Sequence, residues 1–247
     1  MQALWMHTRM EVKLLFREVI AVFFTFLLPA VAFVIMGNIF GEEVYSTGDY
    51  FETYIPAMIG IVIFATCFFA IGMQVVIDRE KGVYKRLKGT PINPAFVMSA
   101  LVIKGFIVFV GTFEIVVLVK FVFDVDVSST LVQFLVAVSW STLSFLGMGF
   151  LLASVARRMQ SALAISLLLF YPMMFLSGAF FPLDMMSGFW RDLTLLNPLF
   201  YAIEMMQLGW KGGHLFTRDG WIDTLVLGGI FVVSTGFGFK YFRWESH

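Results

Sequence analysis

The chain has 247 residues and no formal net charge at pH 7, and 60% of its residues are hydrophobic while 14% are charged. Soluble domains carry about 45–50% apolar and about 25% charged residues, so this composition excludes an ordinary soluble globular protein. Without a net charge there is no global field to attract nucleic acid, which is not expected as a partner. The single cysteine, Cys67, excludes a disulfide framework and a cysteine-rich metal site.

Residues 1–18 have the pattern of an amphipathic helix. Trp5 and Phe16 fall on one helical face, while charged residues such as Arg9 and Lys13 occupy the rest of the circumference. This pattern predicts an interfacial helix that lies on the inner leaflet of a membrane. The alternative, an exposed cytosolic helix or a disordered lead-in, would leave both aromatic side chains in water.

Long apolar stretches follow, and a membrane-spanning helix needs roughly 20 such residues. Four stretches contain no charged residue; a fifth carries Lys104, Glu114 and Lys120, and a sixth is rich in glycine. The predicted spans are 19–41, 53–77, 96–122, 127–156, 159–183 and 221–242. The sequence therefore predicts an all-α polytopic membrane protein with six transmembrane helices in a single transmembrane domain.

The distribution of Lys and Arg predicts the orientation, because positive residues in short loops stay on the cytoplasmic side. Such residues precede the first predicted span, follow the sixth, and lie between spans two and three and between spans four and five. The opposite loops are mostly acidic. We therefore expect cytoplasmic termini, a cytoplasmic loop at 78–95 and an extracytoplasmic segment at 184–220.

Catalytic chemistry is poorly represented. The sequence has no GxxxxGK[ST] phosphate-binding loop, so ATP hydrolysis is not expected on this chain. The three histidines lie outside the predicted spans, and no catalytic or metal site is predicted. Glu114, inside a predicted span, is either a polar point on a substrate path, or a structural partner of Lys120 or of a neighbouring helix, or a residue near the membrane interface.

Two segments carry a resemblance to a known family. Between spans two and three runs DREKGVYKRLKGTPINPAFVMSALVIKG (78–105), which has a charged helical start and a Thr-Pro/Asn-Pro break. Between spans five and six runs FLSGAFFPLDMMSGFWRDLTLLNPLFYAIEMMQ (175–207), with a Ser-Gly, two aromatics and a proline, then a tryptophan and an Asn-Pro. The first resembles the coupling element of ABC type-2 transporter permeases and the second resembles the signature of the same family.

The resemblance implies a two-subunit membrane unit in the cytoplasmic membrane of a prokaryote, in which the second permease subunit is an identical or a related chain. It implies a separate ATP-binding cassette subunit that binds ATP and Mg²⁺, and outward movement of an apolar or amphipathic compound, such as a drug, antibiotic or lipid-like molecule, by alternating access. Export of a polysaccharide or glycan is the alternative within the family. Outside it, the alternatives are a secondary transporter, an assembly scaffold and an intramembrane enzyme.

The resemblance also implies roles for individual residues. The residues implied to couple to the ATPase are Arg79, Glu80, Lys81, Gly82, Lys85, Arg86, Thr90 and Pro91. The residues implied to form an outer gate and the segment after it are Ser177, Gly178, Phe181, Pro182, Asn197 and Pro198. Pro198 is expected to break a short re-entrant or surface helix. The simpler alternatives are a loop that only obeys the positive-inside rule and an interfacial anchor made of Trp190, Phe200 and Tyr201.

Overall fold

The computed structural model describes Val31 and residues 47–84, 131–179, 188–212 and 218–241. Every regular element in these ranges is helical, and they contain no strand, which confirms the all-α prediction for this part of the chain. The elements in order are α1 (Thr47–Phe64), a π-helix (Ala65–Ile71), α2 (Gly72–Glu80), α3 (Leu131–Val155), α4 (Met159–Phe175), α5 (Gly188–Thr194), α6 (Pro198–Trp210) and α7 (Arg218–Tyr241).

Within the described ranges, three helical stretches are long and apolar enough to cross a membrane: Thr53–Glu80, Leu131–Val155 and Gly220–Tyr241. They lie where the second, fourth and sixth spans were predicted. Thr53–Glu80 joins α1, the π-helix and α2 in 28 residues, so its length of about 40 Å exceeds a hydrocarbon core of about 30 Å. The predicted helix 1–18 and the spans 19–41 and 96–122 fall outside the described residues, apart from Val31.

The fifth predicted span, 159–183, contains a shorter helix. Helix α4 has 17 residues and ends at Phe175, so its length of about 25 Å falls short of the hydrocarbon core. Pro172 lies in its last turn, and Gly178 just beyond it has φ +80°, a conformation that favours glycine at the end of a helix. Helix α4 therefore ends at Phe175, although the apolar stretch on which the prediction is based continues to residue 183.

Helices α3 and α7 lie side by side and run in the same direction. Trp140 Nε1 donates to the carbonyl of Thr224 over 3.1 Å, and Ser154 Oγ donates to the carbonyl of Gly238 over 3.1 Å. Because the residue numbers rise together along both helices, the two are parallel. Two spans separated by one other span in a polytopic chain have this relationship, as the fourth and sixth predicted spans do.

Aromatic rings from four elements form the centre of the bundle. Phe64 of α1 stacks on Phe68 of the π-helix at 5.0 Å and on Phe170 of α4 at 5.4 Å between ring centroids. The ring of Phe145 in α3 meets Phe64 edge-on at 5.0 Å. These offset and edge-on arrangements are the favourable ones for aromatic pairs. The π-helix is therefore anchored in the apolar core and packs against both α3 and α4.

The π-helix lies against an unusually close helix crossing. A Cβ atom at Gly149 of α3 would lie 2.5 Å from the carbonyl oxygen of Cys67, and one at Gly72 would lie 3.1 Å from the Cα atom of Gly149. No larger residue fits at Gly149 without moving the backbone. Segments with π-helical hydrogen bonding are rare and frequently occur at functional sites.

Candidate coupling and outer-segment sites

The predicted coupling residues that the structure describes form the end of helix α2. Glu80 is its last residue, and the backbone N–H groups of Lys81 and Gly82 donate to the carbonyls of Ile77 and Arg79 over 2.9 and 3.0 Å. Gly82 has φ +69°, which turns the chain away from the helix axis. The remaining four predicted coupling residues lie outside the described residues: Lys85, Arg86, Thr90 and Pro91.

The side chain of Arg79 is buried, with 4% of its surface exposed. Its Nη1 donates to the carbonyl of Ala153 over 2.8 Å and its Nη2 donates to the carbonyl of Ala156. These carbonyls belong to the C-terminal end of α3, where backbone acceptors lack partners within the helix and the helix dipole is negative. Arg79 therefore caps α3, an intramolecular contact that local sequence reasoning did not indicate.

Glu80, the neighbour of Arg79, contacts the start of the next helix. Its Oε1 accepts a hydrogen bond from the backbone N–H of Met159, the first residue of α4, over 3.0 Å. Arg158, at the N-cap position of α4, makes no capping hydrogen bond with its own side chain. A carboxylate at a helix N-terminus satisfies a free N–H group and complements the dipole. Glu80 thus supplies from α2 the cap that the sequence of α4 lacks.

The same end of the bundle carries exposed positive charge. Helix α7 reaches this end beside α3, as the hydrogen bond between Ser154 and Gly238 shows. Among the described residues, the exposed cationic side chains at this end are Lys81, Arg157, Arg158 and Lys240. The helix ends with the most positive charge are therefore gathered on one side of the structure. That side corresponds to the one predicted to face the cytoplasm.

At the opposite end, Ser177 and Gly178 terminate α4. The buried Ser177 hydroxyl donates to the carbonyl of Met174 over 2.7 Å and accepts from the backbone N–H of Ala179 over 3.3 Å. The Ser177 side chain thus hydrogen-bonds both a carbonyl in the last turn of α4 and a backbone N–H of the segment that follows the helix. Phe181 and Pro182, the other two residues predicted for the outer gate, fall in the undescribed stretch 180–187.

Asn197 connects this helix end to the start of α6. Its side chain is buried; Oδ1 accepts from the backbone N–H of Leu199 over 3.0 Å and Nδ2 donates to the carbonyl of Met173 over 2.7 Å. Pro198 occupies the first turn of α6, where its missing N–H costs no hydrogen bond. Pro198 therefore begins a helix, and the expectation that it breaks one is wrong. Ser177, Gly178, Asn197 and Pro198 are brought together by these contacts.

Helix α6 lies inside the bundle. Gln207 Nε2 donates to the carbonyl of Thr53 over 3.1 Å, and the side chain of Ile203 closes over Gly60. Since the numbers rise along one helix and fall along the other, α6 runs antiparallel to α1. Its neighbours belong to a candidate span, so α6 is packed within the helix bundle, and the choice between a re-entrant and a surface helix for the segment 184–220 stays a prediction.

The aromatic residues proposed as an interfacial anchor differ in their surroundings. Trp190 in α5 is exposed, whereas the partly buried Phe200 and Tyr201 pair their rings at 5.2 Å. The Tyr201 hydroxyl donates to the carbonyl of Leu195 over 2.8 Å. Burial, and then the negative charges of Asp223 and Glu204, hold the pKa of Tyr201 above its ordinary value. Tyr201 is therefore a neutral hydrogen-bond donor.

Two further polar residues were not indicated by the sequence. The hydroxyls of Ser141 in α3 and Ser166 in α4 are buried and make no hydrogen bond to any residue that the structure describes. Serines in membrane helices ordinarily bond the carbonyl four residues earlier, as Ser144 and Ser154 do here. The sequence alone does not show that Ser144 and Ser154 are hydrogen-bonded in this way while Ser141 and Ser166 are not. Glu114, the intramembrane polar residue that the sequence did indicate, lies outside the described residues.

The apolar candidate spans and the positively charged end are features of a polytopic membrane protein. A profile of the ABC-2 type transporter family matches residues 2–209, and the chain belongs to this family. The resemblance drawn from the two sequence segments is thereby confirmed.

Curated relatives carry transport-permease names. The chain is 25% identical over 164 residues to the inner membrane transport permease YhhJ of Escherichia coli (strain K12), and equally to the protein of that name in Shigella flexneri. The match covers 65% of this chain and 44% of YhhJ, so it spans less than half of that relative. The protein ycf38 of Cyanophora paradoxa, whose name places it among transport permeases, is 25% identical over 206 residues, covering 78% of this chain and 67% of ycf38.

Proposed function

We propose that this chain is the membrane subunit of an ATP-driven exporter and that a separate ATP-binding cassette subunit hydrolyses the ATP. The observation that carries the proposal is the charged end of the bundle, where the coupling segment, the turn between α3 and α4 and the end of α7 converge. In a member of the ABC-2 family, such an end offers contacts to a cytoplasmic ATPase. The absence of a phosphate-binding loop from the sequence supports placing hydrolysis on a partner.

The cargo we propose is an apolar or amphipathic compound. The described interior is rich in phenylalanine rings that pack against one another, an apolar environment that favours apolar molecules. The unpaired hydroxyls of Ser141 and Ser166 add isolated polar groups within this apolar interior. A buried hydroxyl without a partner costs about 1–3 kcal/mol, which a bound molecule with a few polar atoms would recover. This combination suits a drug-like or lipid-like molecule better than a glycan.

The proposed assembly contains two permease subunits, identical or related, each bound to one ATPase, in the cytoplasmic membrane with both termini inside. The inner membrane location in the name of YhhJ supports this compartment. Apolar side chains that are exposed on α4 and α7, such as Leu168 and Phe239, suit contact with lipid or with a second subunit.

The test is reconstitution of the chain with and without its ATP-binding cassette partner. We expect no ATP hydrolysis by the purified chain, hydrolysis by the complex, and stimulation by amphipathic dyes but not by soluble oligosaccharides. Stimulation by oligosaccharides alone would contradict the cargo class. Transport by the chain alone, driven by an ion gradient, would contradict the ATP-driven mechanism and identify a secondary transporter.

A further inference from the structure

Adjacent residues of α2 hold the two sides of one interhelical turn. We define the α3–α4 turn as residues 156–158, between the end of α3 and the start of α4. Arg79 donates to the carbonyls of Ala153 and Ala156 on one side of the turn, and Glu80 accepts from the N–H of Met159 on the other. A single dipeptide thus caps the C-terminus of one helix and the N-terminus of the next.

The charge of each residue matches the helix end that it contacts. A guanidinium is attracted to the negative end of α3 and a carboxylate to the positive end of α4, so exchanging the two residues would make both contacts unfavourable. Both are charge-assisted hydrogen bonds, which are stronger than neutral ones. The two contacts are therefore favourable only when Arg79 faces the C-terminal end of α3 and Glu80 faces the N-terminal end of α4.

Burial makes the Arg79 contact difficult to release. The guanidinium is almost fully buried, and separating it from its two carbonyls would leave an unpaired buried charge. Glu80 is exposed, so its contact can change with less cost. The end of α2 and the α3–α4 turn should consequently move as one body, and the solvent-exposed half of the contact is the part that substitution can alter without unfolding the protein.

We propose that Arg79 and Glu80 form a clamp that transmits movement of the coupling segment to α3 and α4 together. The inference rests on the proposed function, because it requires an ATPase that moves this segment. Both residues act through the α3–α4 turn and are therefore positioning residues, whereas the sequence alone suggested direct contacts to the ATPase. Helix α2 is also continuous with the π-helix and α1. A displacement at Arg79 would therefore reach α1 as well as α3 and α4.

The test follows the turn directly in the complex with the ATP-binding cassette subunit in lipid nanodiscs. Spin labels replace Arg158, exposed at the turn, and Leu196, exposed near the opposite end of the bundle. The natural Cys67 is buried and does not compete for the label. Double electron–electron resonance measures the distance between the two spin labels in two states: without nucleotide, and with ATP and vanadate. The difference between the two distances is the nucleotide-driven change. ATPase co-purification and basal hydrolysis are measured on the same samples.

Four proteins are compared: the natural chain, Glu80→Ala, Glu80→Gln and the control Glu204→Ala, which removes a carboxylate from the opposite end. We expect Glu80→Ala to bind the ATPase and hydrolyse ATP normally but to lose more than half of the nucleotide-driven distance change. Glu80→Gln should keep it, because the amide oxygen can still accept from the N–H of Met159. Glu204→Ala should also keep it.

Two results would overturn the clamp alone: an unchanged distance shift in Glu80→Ala, or loss of ATPase binding in both Glu80 variants, which would make Glu80 a docking contact. If the natural chain binds no ATPase or shows no nucleotide-driven shift, the proposed function fails and the clamp fails with it. The natural chain thus separates failure of the function from failure of the clamp.

Discussion

The side-chain amide of Asn197 donates a 2.7 Å hydrogen bond to the carbonyl of Met173, which lies 24 residues earlier in the chain. This bond joins the end of α4 to the start of α6. The same side chain caps α6 through the N–H of Leu199, so one buried residue contacts both the end of α4 and the start of α6.

Replacing Asn197 should therefore destabilise the outer half of the bundle. Loss of an N-cap costs about 1 kcal/mol, and a buried carbonyl left without its donor adds about 1–3 kcal/mol, so Asn197→Ala should lose about 2–4 kcal/mol. Asn197→Ser keeps a hydroxyl that can cap α6, but this side chain is too short to reach Met173. It should therefore be about 1 kcal/mol more stable than Asn197→Ala and less stable than the natural chain. Thermal unfolding of the purified chain in detergent measures both; an alanine variant as stable as the natural chain would contradict the assignment.

The close approach at Gly149 makes a second stability prediction. In Gly149→Ala the new methyl group would meet the backbone carbonyl of Cys67, which is not the flexible end of a side chain. Overpacking of this kind costs about 1–3 kcal/mol. Gly236→Ala is the matched control, since a Cβ atom at Gly236 in α7 meets nothing within 4 Å. Equal thermal stability of the two variants would show that α3 does not pack this closely on the π-helix.

The buried serines provide a third comparison. Ser166→Ala removes a hydroxyl that makes no hydrogen bond within the described part of the chain, so stability should stay the same or rise by up to about 1 kcal/mol. Ser144→Ala removes a hydroxyl whose single proton lies between the carbonyls of Trp140 and Leu227, at 3.0 and 2.9 Å from Oγ, and should lose about 1–2 kcal/mol. A larger loss at Ser166 than at Ser144 in thermal unfolding would mean that the Ser166 hydroxyl has a partner.

Orientation in the membrane can be tested with exposed residues from opposite ends of the bundle. Lys211, after α6, and Arg158, in the α3–α4 turn, are both exposed, so neither position limits a reagent by burial. A cysteine at Lys211 should react with an impermeant thiol reagent in intact cells, and one at Arg158 only after permeabilisation, because the positive-inside rule predicts that the charged end faces the cytoplasm. The reverse pattern would invert the topology.

The sequence predicted the features that depend on residues close together in the chain. Length and apolar composition were enough to place the helices around Gly60, Ser144 and Leu227, because a spanning helix satisfies its own backbone hydrogen bonds. The early end of α4 was also encoded locally, in Pro172 and Gly178. The π-helix was not predicted; it lies where Cys67 closely approaches Gly149, a contact between residues distant in sequence.

The candidate sites show the same limit. The charged residues at 79–82 predicted a coupling segment, but the hydrogen bond from Arg79 to Ala153 joins residues 74 positions apart, so no local pattern could show it. The Asn-Pro pair at 197 was indicated as a break, whereas the contact of Asn197 with Met173 turns it into a helix start. The family resemblance suggested roles for these residues, whereas their contacts within the protein depend on the packing of distant segments.

ATP-dependent export is tested most directly by transport into inside-out membrane vesicles that contain the chain and its ATP-binding cassette subunit. Movement of a fluorescent amphipathic dye into the vesicle lumen is followed after ATP is added outside. We predict uptake that requires ATP and both proteins, and that stops when the phosphate-binding lysine of the partner is replaced. Dye uptake without the partner, or equal uptake by vesicles that lack this chain, would contradict the account.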